Sequence, residues 1–254
     1  MNLYEITFSP TGGTKKAADV ITEGFDQKAA QIDLTDPDHA YEQDQIASED
    51  VCVVAVPSYG GRIPALCAER LMNLKGNGAY AIAMAVYGNR EQEDTLLELK
   101  DILSADGFTV IAGIAAVAEH SIVRKYGKGR PDAQDHAQLI SFTAKILEKL
   151  HSGSITEAET IPGNHPYRKI GDFKAMRPKA TDKCIKCGIC ASQCPVKAIP
   201  ADDPTVTGDA CISCMRCISV CPEHARGLNP VLLKGVELKL SSVCSERKDN
   251  QLYL

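Results

Sequence analysis

The chain has 254 residues, enough for one large core plus a small second unit, with 44% hydrophobic and 24% charged residues as in an ordinary soluble globular protein. A net charge of −5 argues against nucleic acid as the partner, and no apolar run, the longest being AYAIAMAVY, approaches the roughly 20 residues of a membrane span. The N-terminus enters a strand pattern without a charged and apolar leader, so a cytosolic protein is expected, in which 11 cysteines point to metal ligation or catalysis rather than disulfides.

The first predicted strand, LYEITFS, runs into SPTGGTKK, Ser9 to Lys16, and then a helix near 14–27. This loop is not a Walker A motif, and Gly12-Gly13 lacks the G-x-G-x-x-G spacing of dinucleotide folds. What remains is a turn rich in hydroxyls and glycines at a helix N-terminus, which suits a small phosphomonoester. Strand AAQIDLT follows, then an acidic run, Asp33 to Asp50, read as a solvated face. VCVVAVPS leads into PSYGGRIP and a helix near 64–74; YAIAMAVYG leads into YGNREQED and a helix near 90–105. FTVIAGIAAVA, the AEHSI turn with His120, and a helix near 132–151 complete this part. Strands 1, 3, 4 and 5 are nearly continuous in apolar residues, as expected when helices cover both faces of a parallel sheet. The α/β alternation predicts a doubly wound parallel five-stranded sheet over residues 1–155.

A linker is expected over 156–180, with a basic stretch, RKIGDFKAMRPKATDK, also read as a solvated face. Residues 181–230 contain an internal repeat: DKCIKCGICASQCPVKA and DACISCMRCISVCPEHA align at a period of 27 with every cysteine and following proline matched. Each copy reads C-x2-C-x2-C-x3-C-P, giving Cys184, Cys187, Cys190 and Cys194, then Cys211, Cys214, Cys217 and Cys221. A cubane 4Fe-4S cluster needs one thiolate on each iron, and the tight first three cysteines wrap three corners. Tetrahedral zinc favours two separated pairs, which this pattern exceeds. Cys52 reads as a small core hydrophobe, and no partner is assigned to Cys67 or Cys244. A C-terminal extension, 231–254, has no expected role.

The repeat closely resembles the two-cluster bacterial ferredoxins over about 50 residues, a small α+β domain. That resemblance assigns one cluster to Cys184, Cys187, Cys190 and Cys221 and the other to Cys211, Cys214, Cys217 and Cys194. SPTGGT resembles the phosphate loop of the flavodoxin family, which implies a flavodoxin-like sheet of order 2-1-3-4-5 with flavin mononucleotide, FMN, at the carboxyl ends of its strands. By position, Ser9, Thr11 and Thr14 would supply hydroxyls and the amides of Gly12, Gly13 and Lys15 would complete the phosphate cradle. Ser58, Tyr59, Gly60 and Gly61 would face one side of the isoalloxazine, and Tyr87, Gly88, Asn89 and Arg90 its pyrimidine side. The second of these loops resembles the Y-G-N-R form of flavodoxin-ferredoxin fusions. The chain has no tryptophan, so the Trp-and-Tyr sandwich of small flavodoxins is absent.

Together these resemblances imply an electron-transfer protein in which FMN exchanges electrons with two 4Fe-4S clusters, coupling two-electron to one-electron carriers. The expected partner is a redox protein donor or acceptor, with no nucleic acid and no membrane insertion. The alternative is an FMN-dependent reductase of a small molecule, fed by its own ferredoxin domain. His120 is read as a hydrogen-bonded structural histidine, with an approach to the ring edge as the competing role.

Overall fold

The computed structural model describes residues 1–171 and 176–254. Strands β1 (Leu3–Thr7), β2 (Ala30–Asp33), β3 (Val51–Pro57), β4 (Tyr80–Tyr87) and β5 (Thr109–Val117) form a parallel sheet in the order 2-1-3-4-5. The alternation of side chains along each strand explains why both faces must be covered. In β3, Cys52, Val54 and Val56 enter one core with helices α2 (Ala65–Leu71) and α3 (Thr95–Ala105); Val51, Val53 and Ala55 enter the other with α1 (Gly13–Glu23) and α4 (Ala133–His151). Each of these valines contributes roughly 1.5–3 kcal/mol by burial. Cys52 is fully buried, as a small core hydrophobe should be. β4 presents Ala81, Ala83 and Ala85 to the first core and the larger Ile82, Met84 and Val86 to the second.

A sixth strand, absent from the five-stranded expectation, extends this sheet. β8 (Gln251–Tyr253) adds antiparallel to β5, carried there by α7 (Pro230–Cys244). Asn229 caps α7 by accepting from the amides of Val231 and Leu232, and Pro230 sits at its first turn, where no amide partner is needed. The C-terminal residues thus return from the cysteine-rich unit to the sheet.

That unit holds two single-turn helices, α5 (Ile189–Ser192) and α6 (Arg216–Ser219), and an antiparallel ribbon of β6 (Lys179–Ala180) with β7 (Arg226–Gly227). The sequence repeat is also a conformational one. Positive φ recurs at the period of 27: Lys186 and Ser213 (56° and 55°), Gly188 and Met215 (79° and 64°), Lys197 and His224 (50° and 48°). Five of these six residues are not glycine, and such residues seldom enter this region, so its recurrence at matched places marks a structural duplication.

Of the linker expected over 156–180, residues 172–175 lie outside the described residues. The preceding part is pinned to the sheet domain: the Ala158 amide donates to Val110 O, Ile161 packs on the first core, and the amides of Asn164 and Arg168 donate to Asp94. Among the described residues no helix is long and apolar enough to cross a membrane.

Asn250 is buried and fastens the sixth strand, its Oδ1 accepting from the Val117 amide at 2.8 Å and its Nδ2 donating to Asp135 and Gln138. Asn250→Ala strands these buried groups and is expected to lower stability by about 2–3 kcal/mol. Urea unfolding followed by circular dichroism measures it; an unchanged midpoint would show that β8 contributes nothing.

Candidate functional site

The carboxyl ends of parallel strands leave backbone groups unpaired, and the loops following β1, β3, β4 and β5 gather at this edge of the sheet. After β1, Gly12 takes a left-handed turn at φ 87° and ends as the cap of α1 with no side-chain cap and no acidic residue in the first turn. The helix therefore begins with amide donors and positive dipole free for an anion. Thr14 is buried in that turn, with Thr11 and Gly13 beside it at a concave surface that also takes in Lys16. Ser9 Oγ accepts from the Lys15 amide at 2.8 Å, so this amide is already engaged, and the Lys15 ammonium turns to Glu5, Asp19 and Gln31 instead of the loop.

After β3, Tyr59 and Arg62 close a tight turn through reciprocal backbone bonds, with Gly60 and Gly61 at φ 62° and 84°. Ser58 Oγ accepts from Thr95 Oγ1, which fixes the loop to α3. Tyr59 points across to the cysteine-rich unit, where its hydroxyl donates to Cys214 O at 3.5 Å; burial pushes its phenol well up, so it stays protonated as that donor.

After β4, Gly88 lies against His120, and a Cβ there would fall 2.7 Å from His120 atoms. Asn89, at φ 61°, is buried and its side chain is fully used inside the protein. Its Nδ2 donates to the carbonyls of Cys244 and Glu246, and its Oδ1 accepts from Arg130 and the Lys248 amide. Only its backbone can serve the neighbouring cavity. Arg90 pairs with Glu93 at the cavity rim.

That cavity, of about 170 Å³, is lined by Ser58 to Gly61, Tyr87, Gly88, Arg90 and His120. The three predicted contact loops thus converge: the phosphate loop meets the second and third loops along one trough through Thr11, Gly13, Ser58, Tyr59, Tyr87 and Gly88. The sequence did not announce the opposite wall. Ile212 and Ser213, from between two cysteines of the second repeat, and Val236 and Leu240 of α7 close the cavity. The spacing of LLKGVELKLSSV shows an amphipathic helix but cannot name what its face covers.

His120 Nδ1 accepts from the amides of Ile122 and Val123 at 3.1 and 3.2 Å. It must be unprotonated to do so, which leaves its hydrogen on Nε2. Burial, aided by Arg90, holds the imidazole down to about 4.

The eight repeat cysteines divide between two cavities. One is lined by Cys184, Cys187, Cys190 and Cys221, the other by Cys194, Cys211, Cys214 and Cys217. The last cysteine of each repeat is exchanged. Amides at equivalent places approach these two sulfurs: Ala198 N lies 3.3 Å from Cys194 Sγ and Ala225 N 3.3 Å from Cys221 Sγ. Among the described residues no three Cys, His, Asp or Glu side chains gather as around a single ion. A cubane instead takes one thiolate at each of four separate irons, around a volume. Cys52, Cys67 and Cys244 are buried elsewhere.

Residues 183–225 match the family model described as the 4Fe-4S dicluster domain. The chain joins a flavodoxin-like sheet domain to a 4Fe-4S dicluster domain. Pyruvate synthase subunit PorD of Pyrococcus abyssi is 35% identical over 60 residues, which cover 23% of this chain and 54% of that protein, so the chain spans about half of this curated relative. Among solved structures, the rubredoxin oxygen:oxidoreductase of Desulfovibrio gigas aligns with 18% identity and a TM-score of 0.44 over 59% of this chain and 36% of its own. The Streptococcus pneumonia TIGR4 flavodoxin aligns with 19% identity and a TM-score of 0.43 over 58% of this chain and 99% of its own.

The lowered His120 value has a testable consequence. Between about 6.5 and about 4 the unfolded chain binds a proton that the folded chain does not, so stability falls as pH drops through that window. His120→Gln is expected to flatten this part of the profile. Urea midpoints of both proteins from pH 7 to pH 4 measure it, and parallel profiles would refute the neutral, doubly accepting imidazole.

Proposed function

We propose that the protein transfers electrons between FMN at the sheet edge and two 4Fe-4S clusters, converting between paired and single electrons. The observation that carries this reading is the shared wall: Ile212 and Ser213 line the flavin-side cavity and lie between Cys211 and Cys214, which line a cluster-side cavity. Tyr59, in the second flavin loop, donates to the carbonyl of Cys214. A cofactor held between these loops is therefore next to the cluster site of the second repeat.

The residues present fit the groups. The uncapped start of α1, with Thr11, Thr14 and the amide of Gly13, suits a single phosphate; the amides of Gly12 and Lys15 already donate to Ser9 O and Oγ and shape the loop rather than binding directly. Ser58, Tyr59, Gly60 and Gly61 on one side, and Tyr87, Gly88, the backbone of Asn89 and Arg90 on the other, would hold the ring. Cys184, Cys187, Cys190 and Cys221 would bind one cluster and Cys211, Cys214, Cys217 and Cys194 the other. FMN supplies the one-or-two-electron chemistry and each cluster a one-electron step. What the chain adds is position, a neutral His120 with one N–H left to donate, and a ring cavity closed by α7. A redox protein exchanging electrons through the dicluster unit is the partner this closure favours.

Three measurements test the reading. Anaerobically purified protein is expected to release FMN and to contain about eight iron atoms per chain; FAD, or no flavin after reconstitution, would overturn the flavin assignment. Thr11→Ala combined with Thr14→Ala is expected to weaken FMN binding at least tenfold while leaving the iron content unchanged, with equilibrium dialysis and iron analysis as the readouts. Cys221→Ser is expected to disturb the cluster of Cys184, Cys187 and Cys190, not that of its own repeat, in electron paramagnetic resonance of the reduced protein. Turnover with quinones or nitro compounds in the absence of any redox protein would instead favour a small-molecule reductase.

A further inference from the structure

Arg226 is a buried cation that forms no ion pair with a carboxylate among the described residues. It stands at the start of β7, 4% exposed, just after the second cysteine repeat. One terminal nitrogen donates to Pro204 O and reaches Cys190 Sγ at 3.5 Å; the other donates to Thr207 Oγ1 and reaches Pro178 O at 3.5 Å. Its Nε–H, also buried, has no partner among the described residues. These contacts are carbonyls, a hydroxyl and a sulfur; none is a carboxylate. A guanidinium in such a place is costly unless an anion compensates it.

The anions within reach are thiolates of both cysteine sets. Cys190 lines one cavity and is contacted directly, while Cys217, which lines the other, packs in the same buried cluster as Cys190. Four thiolates on a cubane leave a net negative charge that grows by one on reduction, so a fixed cation beside them favours the reduced form. Hydrogen bonds to cluster sulfurs, net charge and burial are the levers that set such potentials. The Thr207 hydroxyl and the two proline carbonyls fix the guanidinium in place, and prolines keep those carbonyls on stiff backbone.

We propose that Arg226 is a shared electrostatic positioning residue that raises the reduction potentials of both clusters. It rests on the cluster reading above. Its charge acts from within the dicluster unit, where water does not screen it.

The test uses the full chain with both cofactors, comparing Arg226→Met and Arg226→Gln, which remove the charge, with Arg226→Lys, which keeps it. Potentiometric titration monitored by electron paramagnetic resonance reads each cluster without any turnover assay. Both neutral variants are expected to lower both cluster potentials, by roughly tenfold in the reduced-to-oxidised ratio at fixed potential, about 59 mV for one electron. Arg226→Lys is expected to stay near the wild type. Full iron content with unchanged potentials in either neutral variant would overturn the proposal. So would loss of clusters from both neutral variants, which would make Arg226 a requirement for assembly. Wild-type protein that binds no cluster would instead fail the functional reading itself.

Discussion

The buried pair of Arg130 and Asp135 is the joint on which the rest of the sheet edge depends. Arg130 Nε donates to Asp135 Oδ2 at 2.8 Å, and both side chains are almost wholly excluded from solvent. Such a pair gains little over an apolar one, and losing one partner costs about 3–5 kcal/mol because the other charge is left stranded. Its role here is spatial. Asp135 belongs to the capping box that starts α4, accepts from Asn250 behind β8, and meets Arg247 of the C-terminal segment; Arg130 donates to Asn89 in the loop after β4. One charge pair thus sets the beginning of a core helix, the position of the sixth strand and the shape of a loop beside the cavity.

This arrangement explains why the last residues of the chain return to the sheet. Asn89 holds the carbonyls of Cys244 and Glu246, so the end of α7 is moored next to the loop whose glycine faces His120. The helix must then cross the cavity mouth, where Val236 and Leu240 become its wall. A segment that enters after the dicluster unit and finishes in the sheet also joins the two units at both ends, through the stretch leading to β6 and through α7. Tyr59 to Cys214, Arg70 to Pro195, Arg216 to Pro10 and the ion pair of Lys197 with Asp38 are among the direct contacts between them. Most are single hydrogen bonds of modest worth, so the double covalent connection and the closing helix contribute more to holding the relative position than any one of these bonds.

The strand order and the repeat were legible because each depends on local pattern. VCVVAVPS is apolar on both faces, and only a sheet covered twice can bury it; the cysteine spacing is a local geometry written twice. The site was legible only where a residue acts through its neighbours in sequence. Gly12, Gly60 and Gly61 do the turning expected of them. Asn89 did not follow that logic: it stands in the right loop, yet its side chain answers to residues more than 150 positions away. The same limit hid β8, too short at three residues to show a period, and the covering face of α7, whose spacing gives a helix without giving a neighbour. Arg226 drew no notice in the sequence, since burial of a cation without a carboxylate is not visible in composition.

The exchanged cysteines supply the last link between folding and transfer. Because Cys194 sits with the second set and Cys221 with the first, neither cavity is complete until both repeats have folded against each other. The unit has few large apolar side chains: its buried cluster is built from alanines, one isoleucine and the cysteines themselves. On the proposed cluster reading, metal-thiolate bonds supply much of its folding energy and bind the two repeats as one body rather than as two. That mutual dependence fixes the spacing between the two cluster sites more firmly than the apolar contacts could. It also fixes Ile212 and Ser213, held between Cys211 and Cys214, against the cavity at the sheet edge. In the proposed transfer, the distance between the sheet-edge cavity and the second cysteine set is thus set by the same bonds that make the small unit fold.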